Sequence, residues 1–245
     1  MLDGLDLFPA QHSTQIVPPE AMTRLCFEIT AVGGVLANLA DDMRHLQRTE
    51  IAEIGEQFGS DQVGSSTMPH KRNPITLENA KSIWKIMLPR LMTVMMDQIS
   101  EHQRDLTNSA SSRTYGEGIC YLVSIAERLA NVMTKLVVDR NNMDRNLAMQ
   151  GDLIIAEPLY VILAALGHPD AHEKVRTLTL QAQGEHKSLR EVAMLDQDRQ
   201  SYFEQMTRHQ RQILSDPSLY TGIAAKKARS IAERWRKELR IEMAL

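Results

Sequence analysis

Aromatic residues are scarce in this chain: two Trp, five Tyr and four Phe among 245 residues. Turn formers are scarce as well, since 12 Gly and 9 Pro make up about 9% of the chain, against a usual ~12%. These shortages exclude a β-sandwich, which draws on aromatic strands and frequent turns, and they exclude a collagen-like chain. Cysteine is limited to Cys26 and Cys120, too few and too far apart for a disulfide framework or a metal motif. Both lie in helical patterns and are expected to be buried or half-buried free thiols. Charge of one sign is missing too, with 28 basic against 31 acidic residues and a net of -3. That balance excludes a whole-chain electrostatic grip on nucleic acid or on an anionic membrane. No apolar run approaches the ~20 residues needed to cross a bilayer. Residues 1–6 lack the basic and apolar regions of a secretory signal. The expectation is a cytoplasmic protein with neither nucleic-acid nor membrane partners.

What is present favours helix. Hydrophobic residues make up 43%, 14 of them Met, and Leu, Ala, Glu, Arg and Gln are abundant. Leu25, Ile29, Val32, Leu36, Leu39, Met43 and Leu46 recur in steps of 4, 3, 4, 3, 4 and 3, a heptad stripe within a helix expected over 20–58. Periodicity fails over 59–74, a long loop of the kind that is often functional. Further helices are expected over 76–102, bending at Pro89, and over 109–139. Shorter helices follow over 154–166, 170–184, 188–194, 198–214 and 224–243, and no run alternates strictly enough for a strand. Methionines at helical spacing read as core filling. The expected fold is all-α. A long-helix bundle occupies 1–147 and carries the loop 59–74; a small helical domain occupies 148–245.

The loop contains Gly64-Ser65-Ser66-Thr67-Met68-Pro69-His70-Lys71-Arg72-Asn73-Pro74. Two hydroxyls, a lysine and an asparagine beside a glycine can bind a carboxylate and stabilise an enolate-like charge. Composition alone equally allows an ordinary polar loop. The order Gly-Ser-Ser-x-Met-Pro-x-Lys-x-Asn, however, resembles the signature of the fumarase/aspartase superfamily at every fixed position. Members eliminate fumarate or a close relative from a succinyl-type substrate. The resemblance implies that Ser65 is the general base, that Lys71 and Asn73 stabilise the aci-carboxylate dianion, and that Ser66 and Met68 contact substrate. It also implies that Glu78 orients a catalytic histidine and Asn79 contacts substrate. An acidic first turn favoured by the helix dipole is the plain alternative for Glu78. His70 falls at a variable position of the signature and receives no catalytic role.

Two further segments resemble the adenylosuccinate lyase branch. Ser13-Thr14-Gln15 is similar to its Ser-Thr-Gln segment, where the glutamine contacts substrate, although Ser and Thr are ordinary before a helix. Arg104, Ser109, Ser112 and Arg113 form a run of guanidinium and hydroxyl groups opening a helix, suited to a phosphate or, more plainly, to a solvated connector. The spacing of Arg104, Ser109 and Arg113 resembles that branch's nucleotide-phosphate site. The expected ligand is then a small nucleotide bearing a succinyl group, with no metal and no cofactor.

Superfamily members are typically about twice as long and carry a Thr-His motif that supplies the general acid. None of the eight histidines here lies in such a motif. The chain therefore reads as the C-terminal half of such an enzyme, expected to be inactive alone, from a homo-oligomer in which tetramers build each site from three subunits. Two other readings stay open: a 3-carboxy-cis,cis-muconate cycloisomerase-like or other fumarate lyase, and a catalytically silent helical scaffold.

Overall fold

The computed structural model describes residues 8–57, 67–68, 71–103, 105–149, 151–196 and 199–239. Contacts divide the chain into two compact units, Met1–Met143 and Asp144–Leu245. Among the described residues the structure is helical apart from one short strand pair, as the composition leads one to expect.

Three long helices build the first unit: α1 (Glu20–Leu46), α2 (Ile75–Met96) and α3 (Tyr115–Thr134). Each packs on the other two, around Ala40, Met43, Leu77, Ala80, Met87, Ile125, Leu129 and Val132. The inner face of α1 is not its heptad stripe. The residues it buries are Thr23, Cys26, Thr30, Gly33, Ala37, Ala40 and Met43, nearly all small. Of the stripe only Met43 is buried, while Leu25, Val32 and Leu39 remain 49%, 48% and 40% exposed. Small residues let α2 approach closely. A Cβ on Gly33 would stand 3.0 Å from Met87 Cε and 3.3 Å from Trp84 Cδ1. The Trp84 indole N–H donates to the Thr30 carbonyl at 3.3 Å, tying the two helices at that point.

Several expected boundaries shift for identifiable reasons. The first helix stops at Leu46 instead of running to Phe58. Gln47 caps it, Ala52 takes a left-handed conformation (φ 52°), and Ile54–Gly55 form a strand, β1. That strand pairs antiparallel with β2, Val137–Val138, which in turn ends α3 before Asp139. Such a two-residue pair is too short to show alternation in sequence. The second helix runs unbroken through Pro89 but ends at Met96, not His102, where Asp97 caps it and is buried. A 3-10 turn at Ser111–Thr114 precedes α3. Of the two thiols, Cys26 is buried, which raises its pKa, whereas Cys120 is exposed against expectation.

The second unit holds shorter helices. Helix α4 (Arg140–Met149) spans the boundary, and α5 (Ala156–Ala165), α6 (Ala171–Glu185), α7 (Leu189–Leu195), α8 (Arg199–Gln205), α9 (Arg208–Ser215) and α10 (Ala224–Glu238) follow. Ile155, Leu159, Leu163, Val175, Leu178, Leu189, Val192, Met206 and Leu214 are part of its core. Gly167 closes α5 at φ 85°, a conformation that favours glycine. A single helix expected over 198–214 is two, because Thr207 and Gln210 form a capping box that starts α9. Among the described residues no single helix is long and apolar enough to cross a membrane.

Asp41 of α1 accepts from Lys81 of α2 at 2.6 Å and from Arg44 at 2.7 and 3.0 Å. These bonds, that from Lys81 first, lower its carboxyl pKa to about 2. A carboxyl depressed by folding contributes stability above its unfolded pKa of ~3.9, and that contribution is lost as pH falls towards the folded value. Asp41→Asn should therefore narrow its stability gap to the wild type between pH 4 and pH 2, measured by urea unfolding across that range. Close helix contact generates a second expectation. Gly33→Val should destabilise the fold by about 1–3 kcal/mol through overpacking against Met87 and Trp84. Glu127→Gln, exposed on α3, should change urea stability by under about 0.5 kcal/mol.

Candidate active site

Residues assigned by sequence gather at the two ends of the first unit. At one end Met68, Lys71 and Asn73 line a cavity of about 760 Å³, together with Gln47, Thr49, Glu56, Arg72, Asp139 and Asn142 among others. Volume of that order suits a small-molecule ligand. Lys71 is exposed and Asn73 half-buried. Among the described residues the Lys71 ammonium makes no ion pair, so its charge is available to an anion. Glu78 and Asn79 stand exposed on the first turn of α2 and do not line this cavity. Ser65, Ser66 and Arg104 lie outside the described residues.

Backbone and side-chain bonds define the cavity floor. Gln47 Oε1 accepts from the Glu56 amide at 2.9 Å, and Gln47 Nε2 donates to the Arg72 carbonyl at 3.4 Å. Glu56 accepts from the amides of Thr76 and Leu77, the open N-terminal amides of α2. Asn142 donates to the Ala52 carbonyl at 3.1 Å and to Asp139 at 2.9 Å. None of these braces was singled out in the sequence, because polar residues on connectors carry no periodic signal.

At the other end Ser109 and Ser112 line a cavity of about 220 Å³ with Ile16, Pro19, Asp97, Asp105, Asn108 and Tyr115. The structure brings the Ser13-Thr14-Gln15 segment here, since the Thr14 hydroxyl donates to the His102 carbonyl. Gln15 itself is exposed. Arg113 is exposed and donates to the Ser109 carbonyl one turn back. The two carboxylates of this cavity were not foreseen. Asp105 accepts from the Thr107 hydroxyl at 2.7 Å and amide at 3.0 Å, bonds that hold its carboxyl below the usual range. Asp97 accepts from the Tyr115 hydroxyl at 2.5 Å, and the Asn108 side chain donates to its carbonyl at 2.7 Å. Burial first, and Asp97 second, raise the Tyr115 pKa. A lone acid just after an apolar helix was the available signal for Asp97.

Helix α2 separates the two ends. Its 22 residues at 1.5 Å per residue give roughly 33 Å. Lys71 and Asn73 precede its first residue, while Ser109, Ser112 and Arg113 are anchored beyond its last through Asn108 and Tyr115. Within one copy of the first unit the two clusters stay apart. Among the described residues no three His, Cys, Asp or Glu side chains converge on a metal-sized site.

This arrangement is a long-helix bundle with a lysine-bearing segment entering one helix. Among family models, residues 1–87 match that of a lyase family, and residues 100–213 match that of the adenylosuccinate lyase C-terminal region. The chain belongs to the fumarase/aspartase superfamily and is like the C-terminal half of adenylosuccinate lyases. It is 38% identical over 196 residues to the adenylosuccinate lyase of Pyrococcus horikoshii, covering 79% of this chain and 44% of that one. Identity to the adenylosuccinate lyase of Pyrococcus abyssi is 36% over 236 residues, covering 95% of this chain and 51% of the relative. Among solved structures, 3-carboxy-cis,cis-muconate lactonizing enzyme from Pseudomonas putida aligns with TM-score 0.75 and 26% identity, covering 96% of this chain and 52% of that one. The chain spans about half the length of the curated relatives it matches.

The pair of buried Asp97 and half-buried Tyr115 generates a direct test of this end. Tyr115→Phe removes the carboxylate's hydroxyl donor and should cost about 1–3 kcal/mol in urea unfolding. Tyr121→Phe, whose hydroxyl reaches Glu117 only at 3.4 Å, should cost less.

Proposed function

We propose that this chain supplies the base loop and the nucleotide-phosphate cluster of an adenylosuccinate lyase-type site. There a succinyl-bearing purine nucleotide loses fumarate to leave AMP, and the related succinyl-carboxamide precursor reacts likewise. Ser65 removes the proton beside a succinyl carboxylate; the closed, dry site must activate it. Negative charge then spreads into the carboxylate as an aci-form dianion, which Lys71 and Asn73 stabilise, with Ser66 and Met68 alongside. The C–N electrons leave with the nucleotide nitrogen, which takes a proton from a general acid. Glu78 orients that acid. Gln15 and Asn79 contact the substrate, while Arg104, Ser109, Ser112 and Arg113 hold the phosphate.

The separation of the two clusters by the length of α2 carries this reading. A nucleotide cannot touch both within one copy, so the site forms between copies whose helices run antiparallel. The apolar face of α1 supports such assembly, because Leu25, Val32, Val35 and Leu39 together leave a large hydrophobic stripe open to solvent. We infer a homo-oligomer, a tetramer in the full-length enzyme. No histidine of this chain lies in a Thr-His motif, so the 245-residue chain alone is expected not to turn over. A second reading, a cycloisomerase-type or other fumarate lyase acting on a non-nucleotide acid, draws on the Pseudomonas putida structural likeness.

AMP binding separates the two. The chain should self-associate at micromolar concentration in analytical ultracentrifugation and bind AMP, with affinity falling at least about tenfold in Arg113→Ala. Absence of AMP binding favours the non-nucleotide reading, and a clean monomer overturns the shared site. Fumarate release from adenylosuccinate by this chain, abolished by Ser65→Ala, would show that it carries its own acid.

A further inference from the structure

We propose that Glu56, braced by Gln47, is a positioning residue that sets the geometry of the anion-stabilising segment 71–74 and the first turn of α2. This rests on the lyase reading above and adds a residue that acts on the reacting groups only through the backbone.

The argument begins with an accounting of hydrogen bonds. The first turn of any α-helix leaves backbone amides without helical partners, and a side chain at the N-cap ordinarily accepts from them. At α2 that position is Pro74, which makes no side-chain capping bond. Glu56, eighteen residues earlier in sequence, takes over this role. Its Oε1 accepts from the Leu77 amide at 2.8 Å and its Oε2 from the Thr76 amide at 3.3 Å. A carboxylate at a helix N-terminus is also favoured by the helix dipole. The cap is therefore delivered from a distant connector, and the position of α2 depends on how firmly that connector is held.

It is held at three places. Gln47, the capping residue of α1, accepts from the Glu56 amide and donates to the Arg72 carbonyl, so one side chain links β1's exit to the lysine-bearing segment. Strand β1, just before Glu56, pairs with β2. Behind the strand, the Asp139 amide donates to the Glu53 carbonyl at 2.9 Å and Asn142 to the Ala52 carbonyl. Glu56 and Lys71 line the same cavity. Both carboxylate oxygens accept from amides, and among the described residues Glu56 forms no ion pair with Lys71. Displacements of about 1 Å in such groups cost up to ~100-fold in rate.

The test is hydrogen exchange by mass spectrometry and fumarate calorimetry on the 245-residue chain. In Glu56→Ala the Thr76 and Leu77 amides should exchange about tenfold faster, the usual scale of a lost cap, with the α3 peptide around Ile125 unchanged. Fumarate affinity should fall by a similar factor. Glu56→Gln keeps an acceptor oxygen and should restore most of both. Gln47→Ala leaves the cap but unties it from Arg72, and should weaken fumarate binding severalfold; this variant decides the matter if Glu56→Ala does not fold. Unchanged exchange at Thr76 and Leu77 in Glu56→Ala, or unchanged fumarate affinity in either alanine variant, overturns the positioning role. A wild-type chain that takes up no fumarate overturns the lyase reading, and the positioning role falls with it. Failure of the reading thus shows in the wild type, and failure of the clasp alone only in the variants.

Discussion

Close approach of α1 to α2 is the constraint on which the first unit depends. Cys26, Thr30, Gly33, Ala37 and Ala40 face inward on α1, and Trp84 and Met87 occupy the space their small side chains leave. Protein interiors pack at crystal-like density, so small residues on one helix oblige large ones opposite. Burial of the small stripe turns the large residues of α1 outward. A helix with two apolar faces thus serves two contacts: one closes the bundle, and the other remains for a neighbour.

The same geometry governs the chemistry. A straight helix acts as a ruler, and α2 sets the distance between the segment that carries Lys71 and the turn that carries Ser109 and Ser112. Each end is anchored by side chains that have no part in the proposed reaction. Glu56 and Gln47 secure the first end, Asp97 and Tyr115 the second. Rigid elements with braced termini hold reacting groups more accurately than loops can, while the groups themselves stay on connectors with room to meet a ligand. In the proposed reaction, placing the two ends far apart calls for more than one copy at each site.

Much of the fold was legible in the sequence. Scarce glycine, proline and aromatics, with heptad spacing, pointed to an all-α chain, and among the described residues the structure is helical apart from one strand pair of two residues on each side. Gly167 marked the end of α5 because only a residue tolerant of positive φ fits there. The misplaced ends of α1 and α3 share one cause. Ile51, Ile54 and Phe58 continue the apolar rhythm of α1 beyond Leu46, yet the backbone leaves the helix to pair Ile54–Gly55 with Val137–Val138, some 80 residues away. A long-range pairing leaves no local mark.

The site divides along the same line. Signature order and the Arg-Ser-Arg spacing lie in contiguous residues, so the sequence by itself pointed to the superfamily and to the side chains proposed for the site. Tertiary structure decided where they stand: at opposite ends of α2, with Lys71 and Asn73 at one cavity and Ser109 and Ser112 at another. It also decided which face of α1 is inside, a choice periodicity cannot make when small and large apolar residues both recur at helical spacing. The braces of Glu56 on α2 and of Tyr115 on Asp97 emerge only once the chain has folded, because each joins residues that no local rule of sequence relates.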